Sequence, residues 1–241
     1  MSERSRTDEH DNAVRNCMLA SIPDEEFEEL RANLSYVRMS VGENLHMPKD
    51  GIRWAYFVNS GMVSLLVGMK GGKTVEVGVA GYEGMTGVTL AAGLKHTTHM
   101  AVTEVAGDAF RIEAEALEEA FKRAPELLQR ANRFGAIQGM QVAQTAACNR
   151  LHDVSQRMAR WLLMTDDRVR EKTLHVTHDF LSMMLGTDRP TVTAGAIELQ
   201  ESGVIEYSRG KLRILDRKKL EAAACECYWA IQRFNAELGL N

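Results

Sequence analysis

"LGTDRPTVTAGAIELQESGVI", residues 185–205, packs two glycines, an Asp-Arg-Pro-Thr run and an apolar periodicity into a short span. Glycine ends helices, and proline is tolerated only near their beginnings. The stretch therefore predicts a turn at Gly186, a helix beginning between Thr187 and Arg189, and a stop at Gly203. Val192, Ala196 and Leu199 form the buried stripe of that helix. Pro190 does no harm in a first turn, whose amides have no intrahelical partners. Arg189, Thr191 and Thr193 are hydrogen-bonding residues rather than core residues. Upstream, Thr177 can cap a preceding helix through His178 to Met184. Downstream, "VIEYS" and "KLRILD" read as paired strands around Arg209-Gly210.

Helix, tight turn, helix and two-stranded wing is the winged helix-turn-helix plan. There the second helix enters the major groove of double-stranded DNA, led by its N-terminal residues. Arginine can read guanine bidentately, and helix N-termini and hydroxyls hold phosphates. Residues 208–219, "SRGKLRILDRKK", carry six basic residues and one acid, the pattern of a polyanion contact. The expected DNA-binding set is Arg189, Thr191, Thr193 and Thr177, with Arg209 and Lys211 from the wing.

Outward from this segment the texture changes twice. From about 36 to 112, β-prone runs ("WAYFVNS", "MVSLLVGM", "TVEVGVA", "MAVTEVA", "AFRI") alternate with glycine turns that include Gly61 and Gly107. Many short strands at near-regular spacing predict a sandwich or barrel, with "KGGK" (70–73) as a hairpin turn. Residues 24–33 predict a short helix with Phe27, Leu30 and Leu34 inward. After Ile112 the chain is almost continuously helical in propensity. Pro125 interrupts it, and one long helical segment is expected from Glu126 to about Met164. Leu127, Phe134, Gln141 and Cys148 recur every seven residues, and a helix of this length is either a spine between domains or a dimerisation contact through that seam.

Bulk properties set bounds. The 241 residues are 45% hydrophobic and 26% charged, with a net charge of −4. No apolar run is long enough to span a membrane, and the N-terminal residues are too polar for a secretory signal. Four cysteines are too few for a disulfide scaffold, so a cytoplasmic, reducing location is expected. No nucleophile, base and orienter constellation, Walker loop or G-x-G-x-x-G loop is present, so an enzyme is not expected. Cys225 and Cys227 are half of a zinc site with no second pair nearby in sequence, so no metal or cofactor is assigned. Whether they are redox-active is open.

The order of parts resembles the CRP/FNR family of bacterial transcription regulators, from about Met18 to Leu220. "WAYFVNSGMVSLL" (54–66) looks like its cyclic-nucleotide-binding-like jelly roll, and residues 177–216 look like its DNA-binding segment. The resemblance implies an α+β chain: N-terminal jelly roll, long dimerisation helix and C-terminal winged helix-turn-helix. Its parts would be a flexible tail (1–15), sensory domain (16–125), dimerisation helix (126–146), DNA-binding domain (147–220) and C-terminal helical extension (221–241). It implies a homodimer on a roughly palindromic operator, RNA polymerase as a further partner, and allosteric control with a hinge near 149–153. Arg189 falls at the family's base-reading arginine; Thr177 and Thr191 fall at its phosphate contacts. Two further base-reading positions are here Pro190 and Ala194, so the operator should differ from the best-known one.

The sensory half departs further. No arginine occurs from Ala55 to Ala109. Thr97 and Thr98 stand where the family's phosphate-holding arginine and hydroxyl residue would be. Val88 stands near the ribose-holding glutamate's place, with Glu83 close by. A buried phosphate would lack its bidentate partner, so cyclic AMP is not the expected effector. Cys17 is a lone N-terminal cysteine, which excludes the family's four-cysteine iron–sulfur cluster. His96 and His99 leave haem open, but surface residues are the plainer reading. A rival reading also stays open: a ligand- or redox-sensing protein whose basic wing docks a protein partner.

Overall fold

The computed structural model describes residues 6–169 and 173–237. Residues 1–5 of the expected tail and 238–241 of the expected extension lie outside the described residues. The chain divides into two compact units, one built on residues 1–66 and 78–139 and one on 67–77 and 140–234.

The first unit opens with α1 (Cys17–Ser21) and α2 (Asp24–Arg31). Phe27, Leu30 and Leu34 are buried as expected. The strands are β1 (Ser35–Met39), β2 (Asn44–His46), β3 (Trp54–Gly68), β4 (Thr74–Ala80), β5 (Met85–Thr86) and β6 (Met100–Glu113). A 3-10 helix at Val88–Ala92 precedes β6, and α3 (Ala114–Phe121) follows it. The sheet runs β1-β6-β3-β4, with β2 added on β6 and β5 on β3.

Two expected turns are not turns. Gly61 lies inside β3 and Gly107 inside β6. The β3–β6 pairing shifts register between Val58 and Val63, which marks a bulge. Gly61 has φ +80°, and a Cβ there would sit 2.5 Å from the Val105 carbonyl oxygen. The glycine bends one long strand by close backbone approach rather than ending it. "KGGK" does turn, with Met69 N–H donating to the Lys73 carbonyl at 2.8 Å.

The described part of the expected tail is docked. The Arg6 guanidinium donates to the Leu19 carbonyl and Asp24, both at 2.6 Å. The Asp8 carboxylate accepts from the backbone of His10 and Asn12 at 2.9 and 2.8 Å. Arg15 N–H donates to Asn59 at 2.6 Å. Side chains with specific partners tie down a stretch whose polarity suggested freedom.

Helix α4 (Pro125–Leu151) is followed by α5 (Val154–Arg168). The expected single segment to Met164 is therefore two helices. Asp153 leaves helical geometry at φ −68°, ψ 157° and forms a reciprocal capping box with Gln156. The remaining elements are β7 (Leu174–His175), α6 (His178–Leu185), α7 (Arg189–Glu201), β8 (Ile205–Ser208), β9 (Lys211–Ile214), α8 (Arg217–Ala223) and α9 (Cys227–Glu237). β7, two residues long, joins β9 and β8 as a third strand that the sequence reading missed. No helix among the described residues is long and apolar enough to cross a membrane.

Candidate nucleic-acid interface

Helix α5 is the scaffold of the second unit. Its Trp161 is buried and meets Phe180 of α6 edge to face, ring centroids 6.2 Å apart. Buried Arg157 donates to the carbonyl of Leu185, the last residue of α6, and to that of Asn149 at 3.3 Å. A helix-end carbonyl without an intrahelical partner thus receives one. Thr177 caps α6, its hydroxyl accepting from Phe180 N–H at 3.1 Å. Gly186 closes α6 in the left-handed region, φ 59°, ψ 40°. Two residues later Asp188 caps α7, accepting from Thr191 N–H at 2.8 Å. That bond holds the Asp188 carboxyl below its usual range. The sequence reading did not single out this aspartate, although an acidic N-cap just before a first-turn proline is a legible signal.

Val192, Ala196 and Leu199 are buried, which turns Arg189, Pro190, Ala194 and Ile197 to the exposed side of α7. Arg189 extends from the first turn and pairs with Asp179 of α6 at 3.3 Å; both side chains are mostly exposed. Thr193 is placed differently from a free base reader. Its hydroxyl donates to the Arg189 carbonyl and contacts His178 Nδ1, both at 2.9 Å. His178 in turn lies against Tyr207 of β8, ring centroids 4.8 Å apart. Burial, then the Arg189 charge, pushes the His178 pKa down. The Tyr207 hydroxyl donates to the Val176 carbonyl at 2.9 Å. This Thr193–His178–Tyr207 chain links α7, α6 and the β8–β9 wing. Nothing in the local sequence of any one of the three revealed it.

The wing turns at Arg209 and Gly210, both with positive φ, 50° and 76°. Two consecutive positive φ values suit the twist of a tight hairpin. Arg209 and Lys211 are exposed and make no ion pair with another described residue. Arg213 instead pairs with Glu206 across the strands at 3.1 Å. The unit therefore offers an N-terminal helix turn carrying one arginine, with two uncommitted cations on the wing.

Residues 156–223 match the family model of the Crp-like helix-turn-helix domain. The fold is shared with solved structures along most of the chain. The c-di-GMP-responsive global regulator CLP of Xanthomonas campestris is 18% identical, with 80% of this chain and 100% of that one covered and a TM-score of 0.66. FixK2 of Bradyrhizobium japonicum is 14% identical, with 80% and 98% covered and a TM-score of 0.64. A CRP/FNR-family transcriptional regulator of Thermus thermophilus is 23% identical, with 79% and 98% covered and a TM-score of 0.63. The chain thus carries a Crp-like helix-turn-helix domain and shares the overall fold of these regulators. No curated protein is a significant sequence match to it.

Glu83 is buried and accepts from Gly81 N–H at 3.2 Å. Val88 starts the 3-10 helix and lies against Gly135 of α4. Thr97 is half-buried, its hydroxyl 2.7 Å from His99 Nδ1, whereas Thr98 is exposed. His99 is not a plain surface residue: it is half-buried, 5.9 Å from the His46 ring. Burial pushes the His99 pKa down. Burial, then the His99 charge, lowers that of His46 to about 4.

The expected dimerisation seam faces inward. Leu127 and Phe134 belong to the core of the first unit, and the Phe134 ring sits on Gly84. Gln141 is buried, and Cys148 is buried beside Cys225 and Cys227. A seven-residue repeat marks the apolar face of a helix without saying what that face meets. The exposed face of α4 instead runs through Ala136, Met140, Ala143 and Ala147.

Proposed function

We propose that the protein is a sequence-specific, DNA-binding transcription regulator that acts as a homodimer and answers to a signal other than cyclic AMP. The carrying observation is Arg189: it stands exposed on the first turn of α7, beside a wing whose Arg209 and Lys211 form no ion pair among the described residues. An arginine there reads guanine in the major groove while the wing holds phosphates. Thr191 adds a half-buried hydroxyl on the same turn, and Thr177 caps the neighbouring helix start. Pro190 and Ala194 leave the remaining readout to thymine methyl groups and DNA shape.

The homodimer reading rests on the exposed face of α4. Alanines at 136, 143 and 147 allow close helix approach around Met140. A twofold pair of recognition helices would read a roughly palindromic site. The effector reading rests on the absence of arginine between Ala55 and Ala109. The helix break at His152–Asp153 supports a hinge of the family type there. RNA polymerase remains the partner such a regulator implies.

Selection from a random double-stranded DNA pool tests this reading. Recovery of one twofold-symmetric motif, unchanged by added cyclic AMP, supports it. No enrichment from the pool, with the protein folded and dimeric, would favour the wing as a protein-docking surface instead.

A further inference from the structure

The cysteines that the sequence left as half a site have their other half. Cys148 and His152 stand four residues apart, on one side of the end of α4. Cys225 and Cys227 flank the turn that begins α9. One ligand atom from each of the four lies within 4.8 Å of every other. Cys148 Sγ is 3.5 Å from Cys225 Sγ, and Cys227 Sγ is 3.6 Å from His152 Nδ1. Bond lengths of about 2.3 Å to sulfur and about 2.05 Å to nitrogen give tetrahedral edges of about 3.8 and 3.6 Å. These two spacings lie close to those edges, and the remaining pairs fall within 4.8 Å. They are far longer than the roughly 2.05 Å of a disulfide. They are also too short for thiolates on separate corners of a four-iron cluster.

We propose that Cys148, His152, Cys225 and Cys227 form a tetrahedral site for a soft divalent transition metal, zinc foremost. The surroundings are those of a built site. All three thiols are buried. His152 Nε2 lies 3.1 Å from the Glu226 carboxylate, which orients Nδ1 toward the sulfurs. A carboxylate behind a ligating histidine fixes its tautomer and raises its basicity. The Gln144 side-chain amide donates to Cys227 Sγ at 3.0 Å, a bond that favours thiolate. Three thiolates, a neutral imidazole and a divalent ion sum to one negative charge. Buried Arg157 and Arg160 are the electrostatic neighbours of Cys148 that answer it. Three sulfurs and one nitrogen select zinc over magnesium or calcium. Binding expels the thiol protons to solvent.

The site clamps the last turn of α4 to the start of α9. It also borders the joint from which α5 departs. Gly195 of α7 packs on the beginning of α5, where a Cβ would stand 2.9 Å from Val154. The metal thus holds the support of the recognition helix, and its existence does not depend on the DNA-binding reading.

The test uses the full chain, reduced and stripped of metal under anaerobic conditions. Cobalt(II) is titrated first, then displaced by zinc. One equivalent per chain should give the intense visible bands of tetrahedral cobalt and a thiolate charge-transfer band, both bleached by zinc. Cys225→Ser should weaken the charge-transfer band. His152→Ala, a milder change at the rim, should retain that band but bind more weakly. Zinc should raise the melting temperature of the wild type and not of Cys225→Ser. Absence of a tetrahedral spectrum in the folded wild type would overturn the proposal. So would a spectrum unaltered by both Cys225→Ser and Cys148→Ser.

Discussion

Arg189 Nη1 lies 3.3 Å from Asp179 Oδ2, and the two side chains are 63% and 69% exposed. Exposed pairs of this kind contribute about 1 kcal/mol or less. Asp179 therefore sits beside the arginine without holding it. It also sets a negative charge on the face that would approach phosphate.

Removing either partner should act in opposite directions. Arg189→Ala should lower affinity for the selected operator by about tenfold to a hundredfold, the worth of roughly 1–3 kcal/mol for a bidentate base contact. It should relax preference at one base pair per half-site. Asp179→Asn should raise affinity for all sequences by a few-fold. Fluorescence anisotropy on operator and scrambled duplexes checks both.

The wing should behave as a phosphate clamp. Arg209→Ala and Lys211→Ala should weaken operator and scrambled DNA alike. Each should also reduce the slope of log affinity against log salt by about one. Arg213→Ala should do less, because that guanidinium is paired with Glu206. A salt titration of the three variants separates them.

The two faces of α4 should fail differently. Phe134→Ala removes a core ring packed on Gly84 and should cost about 3–5 kcal/mol of stability by chemical denaturation. Met140→Glu alters the exposed face. It should leave the fold intact and produce a monomer by sedimentation, with loss of operator binding.

Acid should loosen the first unit through His46. Its folded pKa of about 4 lies below the ordinary 6.5, so the unfolded chain takes up the proton first. The stabilisation is complete above pH 6.5 and is lost as pH falls toward about 4. At 1.36 kcal/mol per pKa step the loss is about 3 kcal/mol at most. His46→Leu should flatten the dependence of melting temperature on pH across that window.

The helix-turn-helix was legible because its signals are local. Gly186, Pro190 and Gly203 punctuate two helices whose apolar stripes have one meaning. The sensory sheet was legible as β-rich, but its glycines were ambiguous: Gly61 permits a bulge as well as a turn. On α4 the seven-residue recurrence was real, yet core burial and dimer burial leave the same pattern. The break at His152–Asp153 carried only a capping box, with no glycine or proline to announce it. That Arg189, Arg209 and Lys211 are exposed was readable, but the tie of Thr193 was not, because its partner His178 sits on another helix. The cysteine cluster was hidden by sequence distance, since Cys148 and Cys225 are 77 residues apart.

The central claim is tested most directly by measuring wild-type and Arg189→Ala binding to the selected duplex and to a scrambled one, at several salt concentrations. The account predicts nanomolar-scale, salt-steep binding to the selected duplex. In the mutant the preference over the scrambled one should shrink by about tenfold to a hundredfold, while the salt slope stays the same to within about one. Equal affinity of the wild type for both duplexes, unaltered in Arg189→Ala, would contradict it.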